Sequence, residues 1–211
     1  MRPMIRAVLL LIVIGGLVAA ALIYWVARTG LSARVPPSAV EERLALAMRR
    51  LATPTAVRSR PNPIAPSAAV IDEAVEHFAD HCASCHANDG SGSTQLGRNV
   101  YPPAPDMREA RTQDLSDGEL FAIIENGIRL TAMPAWGTGT PEGERASWGL
   151  VHFIRQLPTL TPEVIARMEQ LNPKSPAQFR EEEETRRFLA GEDPAPAPAV
   201  STPTSHQGRH D

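Results

Sequence analysis

The longest apolar pattern in the chain is unbroken: from Ala7 to Ala27, 21 consecutive positions carry no charge. Arg2 and Arg6 precede the run, and Arg28 and Arg34 follow it. About 20 apolar residues in a helix span the hydrocarbon core of a bilayer. Tyr24 and Trp25 fall near its end, where amphipathic rings favour the headgroup level. The rival reading is a cleaved signal peptide cut at Ala19-Ala20-Ala21. Against it, Leu22-Ile23-Tyr24-Trp25-Val26 carries the apolar run past that site, and the run is too long for a signal core. The pattern predicts a retained transmembrane anchor over 1–28. With two arginines close to each end, charge leaves its orientation open.

Beyond the anchor the apolar positions recur at helical spacing and never alternate as in a strand. Ser38 and Glu41 have capping-box spacing ahead of Val40, Leu44, Ala47, Met48 and Leu51, which share one side of a short helix. That helix reads most simply as a connector; a stalk, a lid or a helix lying on the membrane surface are its other readings. Thr53 to Ser67 holds four prolines and little periodicity, so 29–67 reads as a short helix and an extended linker. Residues 68–158 carry the pattern of a compact all-α domain with long loops. Ala69, Val70, Ala74, Val75 and Phe78 form a first helical face; Asn88 to Pro105 is a glycine- and proline-rich loop. Ser116 and Glu119 cap a middle helix ending at Gly127, and Thr140-Pro141 opens a last helix with Trp148, Leu150, Val151, Ile154 and Leu157, stopped by Pro158. A helical extension over 159–191 follows, with Glu181 to Glu184 as a solvated face. The Pro/Ala-rich tail 192–211 is expected to be disordered.

Composition narrows the function. The formal net charge of −3 excludes a strongly basic nucleic-acid binder, and two cysteines exclude a disulfide-dense scaffold or a four-thiolate zinc ribbon. Ten aromatics among 211 residues are a thin supply of core material. The average hides an asymmetry. Residues 1–36 carry +4 and residues 37–69 carry +3, whereas residues 70–157 carry six basic and thirteen acidic side chains and no lysine, −7. Such a domain fits a basic or largely apolar partner surface.

The decisive chemistry is Cys82-Ala83-Ser84-Cys85-His86 at the end of the first domain helix. Two thiols at this spacing can add across the two vinyl groups of a haem, with the adjacent histidine beneath the iron; C-x-x-C-H is a haem-attachment pattern. A zinc site would need His81, Cys82, Cys85 and His86 around one tetrahedron, and immediate neighbours point badly for that. A thioredoxin-like motif expects a βαβ context, which is absent. A plain disulfide leaves His86 without a role. For a sixth iron ligand the candidates are Met107, Met133, Met168, His77, His81 and His152. Met133 is favoured. It lies 47 residues after His86 on the proline-flanked loop Thr131-Ala132-Met133-Pro134, between two expected helices. Elsewhere a methionine is more simply core filling.

Phe78, the Cys82–His86 motif, the Gly/Pro-rich loop, the middle helix, the Met133-Pro134 loop and the terminal helix together resemble a class I cytochrome c over about 90 residues. The resemblance implies a small helical fold whose first and last helices cross, with Phe78 against Leu150, Phe153 and Ile154. It implies one covalently bound haem c held by Cys82 and Cys85, with His86 and Met133 as axial ligands. Ala74 departs from it, since the family often has glycine at the crossing. Tyr101-Pro-Pro-Ala-Pro105 looks like the loop walling the haem edge in related membrane-bound domains. Arg98, Tyr101 and Trp136 are then candidates for haem-edge or propionate contacts, each equally readable as an ordinary loop residue. Family members carry single electrons and transform no substrate, so the expectation is an electron carrier rather than an enzyme. Membrane-bound redox enzymes would be its donor and acceptor, with no nucleic-acid or small-molecule partner. Haem attachment in the family occurs outside the cytoplasm, which implies a bacterial inner-membrane protein whose haem domain faces the periplasm. A fixed subunit of a larger oxidoreductase complex is the second expectation; a haem enzyme or gas sensor with an open sixth site is the third.

Overall fold

The computed structural model describes residues 2–30, 32–174 and 176–191. Helices α1 (Arg2–Thr29), α2 (Ala39–Ala52), α3 (Thr55–Arg58) and α4 (Ala68–His77) come first. A π-helical turn, Phe78–Cys82, leads into α5 (Ala83–His86), followed by α6 (Gln95–Asn99), α7 (Ala110–Gln113), α8 (Asp117–Asn126) and α9 (Pro141–Gln156). A 3₁₀ turn, Leu157–Thr159, precedes α10 (Pro162–Leu171) and α11 (Pro176–Leu189). No strand occurs among the described residues, and the expected tail 192–211 lies outside them. The fold is all-α: a small cytochrome c fold preceded by one apolar N-terminal helix. Within α1, Pro3–Arg28 is long and apolar enough to cross a membrane, and none of its apolar side chains is buried.

The capping chemistry read from the sequence sets the helix starts. Ser116 accepts from the Glu119 amide at 3.2 Å while Glu119 accepts from the Ser116 amide at 2.9 Å, a complete capping box for α8. Thr140 caps α9 with Pro141 in its first turn. The core forms where α4 and the π turn cross α9: Phe78 meets Phe153 edge-on, ring centroids 5.0 Å apart. Phe78, Trp148, Leu150 and Phe153 are all 2% exposed or less. Each such burial stabilises by roughly 1.5–3 kcal/mol. Gly149 on α9 lies across from Ala74; a Cβ there would meet that of Ala74 at 3.8 Å and Val70 at 3.5 Å, ordinary contacts, so the crossing does not depend on glycine.

Two stretches read as peripheral in sequence are part of this body. The expected linker Thr53–Ser67 forms α3 and then lies along α8 and α9 as a strap. Arg60 stacks over the parallel rings of Phe121 and Trp148, 5.0 and 5.1 Å from their centroids. Asn62 donates to the Trp148 carbonyl at 3.0 Å, and a His152 ring nitrogen meets the Ile64 carbonyl at 2.7 Å. Proline keeps such a segment extended but says nothing about what its remaining polar groups find. On the other side, α10 continues the core past Pro158. Met168 is wholly buried, Leu160, Val164 and Leu171 pack beside it, and Arg167 pairs with Asp72 at 2.8 Å and Glu76 at 3.4 Å. The compact unit therefore runs to Asn172, and α11 belongs to a second unit beginning at Pro173. In that unit Glu181 to Glu184 are exposed, and Lys174 pairs with Glu182 at 2.7 Å.

Docking of the strap makes a prediction. A Cβ on Gly118, in the first turn of α8, would overlap the Val57 carbonyl oxygen. Glycine-to-alanine on an open helix surface adds up to ~1 kcal/mol; here the collision is expected to cost ~1–3 kcal/mol. Gly118→Ala should therefore lower the thermal midpoint by ~2–10 °C, measured by circular dichroism. An equal or higher midpoint would mean that α3 does not seat on α8.

Candidate functional site

The site is built around the end of α5, a helix only one turn long. A helix end leaves its last four carbonyls without intrahelical donors, and here every one is met. The Ala87 amide donates to the Ala83 carbonyl at 2.9 Å. The Thr94 hydroxyl lies 2.8 Å from the Ser84 carbonyl and 3.2 Å from that of Cys85. The Gly92 amide donates to the His86 carbonyl at 2.8 Å. Thr94 also caps α6, accepting from the Gly97 amide at 2.8 Å. A Cβ on Gly97 would collide with the Cys85 carbonyl, so only glycine lets α6 come this close. The loop after the motif is thus a fixed wall rather than slack chain. Its far end is tied in as well: the Met107 amide donates to the Gly90 carbonyl at 2.8 Å, and Gln113 donates to the Met107 and Ile154 carbonyls at 2.7 and 2.9 Å.

Backbone shape keeps the motif in place. The π turn Phe78–Cys82 inserts one residue into the helical ladder directly before Ala83, a departure common at functional sites. Ala87, directly after His86, has φ 60° and ψ 159°, a region almost restricted to glycine that costs ~1–3 kcal/mol to occupy. Strain is therefore stored at the residue that turns the chain away from His86.

The donor set fits a haem. Cys82 and Cys85 are both half-buried free thiols. Burial, with the neighbouring Cys85 adding to it, pushes the Cys82 thiol up to about 12, so it stays protonated. Burial also holds the His86 imidazole below its ordinary value and hence neutral. Its Nδ1 is enclosed with no hydrogen-bond partner. A neutral imidazole directly after two thiols spaced three residues apart is a ready nitrogen donor. Among the described residues no cluster of His, Cys, Asp and Glu suited to a bare metal ion occurs.

The second candidate ligand sits on a loop that is equally well fixed. Met133 is half-buried. Its amide donates to the Thr131 hydroxyl at 3.1 Å and its carbonyl accepts from the Ile128 amide at 3.1 Å. Beyond it, the Trp136 and Gly137 amides donate to the Ile124 and Glu125 carbonyls, capping α8 at 3.0 and 3.1 Å. Met107 and Met168, the alternative thioethers, are 7% and 0% exposed within the hydrophobic core. His152 is engaged by the strap as described. His77 meets His81 edge-on at 5.0 Å, and burial lowers the His77 pKa. His81 stacks on the Trp136 indole at 5.2 Å, which connects the attachment helix to the Met133 loop. Nothing in the periodicity pointed to that ring pair. Arg98 donates to the Ser93 carbonyl at 2.7 Å and its hydroxyl at 3.0 Å, and exposed Arg98 thus closes its own turn. Tyr101 donates to Glu41 of α2, which raises the Tyr101 pKa above its ordinary value.

Relief of the strain at Ala87 is measurable. Ala87→Gly should raise stability by about 1 kcal/mol net of glycine's extra chain entropy, or ~2–4 °C in thermal midpoint, with the visible absorption spectrum unchanged. A lowered midpoint would show that Ala87 is not held in a strained conformation.

With this geometry in place, comparison with protein families is informative. A family model described as "Cytochrome C oxidase, cbb3-type, subunit III" matches residues 69–154. The match begins in α4, ends in α9, and encloses the cysteines, His86 and the Met133 loop. Residues 69–154 of this chain are a c-type cytochrome domain, a haem-binding electron-transfer module.

Proposed function

We propose that this chain is a membrane-tethered monohaem cytochrome c carrying single electrons between membrane-bound redox enzymes at the outer, periplasmic face of a bacterial cytoplasmic membrane. The observation that carries the reading is α5. With Cys82 at the end of the π turn just before it, it presents two thiols and one neutral imidazole within five residues, and its terminal carbonyls are all satisfied. Cys82 and Cys85 would hold the cofactor through thioether bonds, and His86 and Met133 would ligate its iron. When bound, haem supplies one-electron ferrous–ferric chemistry whose potential is set by axial ligation and burial. The protein's part is to keep both axial side chains fixed through that change. The Gly92 bond to its carbonyl fixes His86; the Ile128–Met133 turn fixes Met133. With His86 and Met133 both ligating the iron, no coordination site would be left for a substrate, which favours a carrier over an enzyme. Of Arg98, Tyr101 and Trp136, Trp136, stacked on His81, is the strongest for a haem-edge contact. The single span of α1 holds the domain near its partners.

A second reading has its own support. The matching family is described as a subunit of an oxidase, and the strap and α10 make the domain larger and stiffer than a minimal carrier needs. In that reading the chain is a fixed subunit of a membrane oxidase complex, and the same haem chemistry serves one dedicated partner. Co-purification of a stable multisubunit oxidase after mild detergent extraction would favour it.

The ligand assignment is tested by two substitutions compared in absorption and magnetic circular dichroism spectra. Met133→Ala should abolish the iron–thioether signature and open the iron to added imidazole. Met107→Ala should keep that signature while losing ~2–5 kcal/mol of stability to the cavity it leaves. An unchanged spectrum in Met133→Ala removes Met133 as the ligand.

A further inference from the structure

Helix α2 docks on the cytochrome domain by the opposite face from the one its hydrophobic pattern suggests. At 100° per residue, Glu42, Leu46, Arg49 and Thr53 share one side, and these are the half-buried positions. That side is tied down: Glu42 pairs with Arg111, and burial lowers the Arg49 pKa with Glu119 opposing it nearby. Glu41, at the edge, accepts from Tyr101. The apolar side faces out. Val40, Leu44, Met48 and Leu51 are 76, 61, 61 and 84% exposed. A continuous apolar stripe on a helix already stabilised from behind needs an occupant.

Three observations identify that occupant. Only residues 29–38 separate the apolar span of α1 from α2, and ten residues reach at most ~35 Å. Arg43 and Arg50 border the stripe along one edge, the arrangement that places arginine among lipid headgroups while apolar side chains enter the acyl boundary. On the domain's side of the span, residues 28–69 carry +5 while the domain they precede carries −7. That separation draws this arm, and not the domain, towards an anionic surface. We infer that α2 lies on an anionic lipid bilayer with Val40, Leu44, Met48 and Leu51 immersed, so that the cytochrome domain rides on the membrane in one fixed orientation instead of swinging on a tether. The inference rests on α1 being a retained membrane anchor.

The test uses the full-length, haem-loaded chain in nanodiscs of phosphatidylcholine and phosphatidylglycerol, 3:1. Nitroxide labels are placed by Leu44→Cys and, in a second variant, Leu51→Cys, with exposed Glu73→Cys on α4 as the aqueous reference. Collision with oxygen is compared with collision with a water-soluble nickel chelate. The expected result is a severalfold preference for oxygen at 44 and 51 over the reference. Arg43→Glu with Arg50→Glu should lower the ratio of immersed to free α2 at least about fivefold. Labels at 44 and 51 that behave like the reference overturn the lipid contact and transfer the stripe to a protein partner. Immersion indifferent to phosphatidylglycerol and to charge reversal overturns the anionic requirement. Uptake of label by the unsubstituted chain separately reports unlinked Cys82 or Cys85, so failure of the cofactor assignment is distinguished from failure of the lipid contact.

Discussion

The end of α5 is the constraint from which the rest of the structure follows. α5 is the last turn of a helix that runs on from α4 through the π turn, so its end carries the unpaired carbonyls of the whole segment. Its four terminal carbonyls must find donors elsewhere. Ala87, Gly92 and Thr94 provide them, which forces the chain back across Cys85 and admits only glycine at Gly97. The same closure places Met107 in the core and commits Gln113 to bridging the loop and α9. The motif's geometry is therefore paid for by the loop that follows it. Fixing two thiols and an imidazole before electron transfer keeps structural change small as the iron changes charge.

The second constraint is the shortage of core material. With few aromatics, the domain concentrates them at the α4–α9 crossing and in the Phe121–Trp148 stack, 4.1 Å between centroids. It then recruits chain from outside the minimal cytochrome fold. Arg60 covers that stack from the strap, and Met168 fills the core from α10, where an unbranched thioether adapts to an irregular gap. A haem held by the cysteines would add the largest apolar surface of all. The domain is small enough that such staples matter.

Much of this was legible in the sequence, for identifiable reasons. Ser116, Glu119 and Thr140 are local signals, satisfied within three residues, so the starts of α8 and α9 could be read directly. Cys82 to His86 carry a chemistry that few other spacings share; Phe78 on the apolar face of its helix follows from helical periodicity, and its place at the crossing from the family resemblance. What escaped depends on distant partners. The face α2 turns inward is chosen by Arg111 and Tyr101, some sixty residues away, against the preference of its own apolar stripe. The strap's docking depends on Gly118 leaving room for a carbonyl, and the end of the compact unit at Asn172 depends on Met168 finding space that no pattern in its own helix announces. The π turn and the strain at Ala87 are likewise imposed by the closure around α5, since nothing in Phe78-Ala-Asp-His-Cys82 favours a wider turn.

The central claim is that protein side chains fill both axial positions of a covalently held haem, which makes the chain a carrier of electrons. Carbon monoxide addition to the ferrous full-length protein at neutral pH, followed by visible absorption, tests it most directly. The account predicts a spectrum unchanged by the gas, because Met133 keeps the sixth position. Ready formation of a carbon monoxide complex would contradict it and point to an open site built for binding or catalysis.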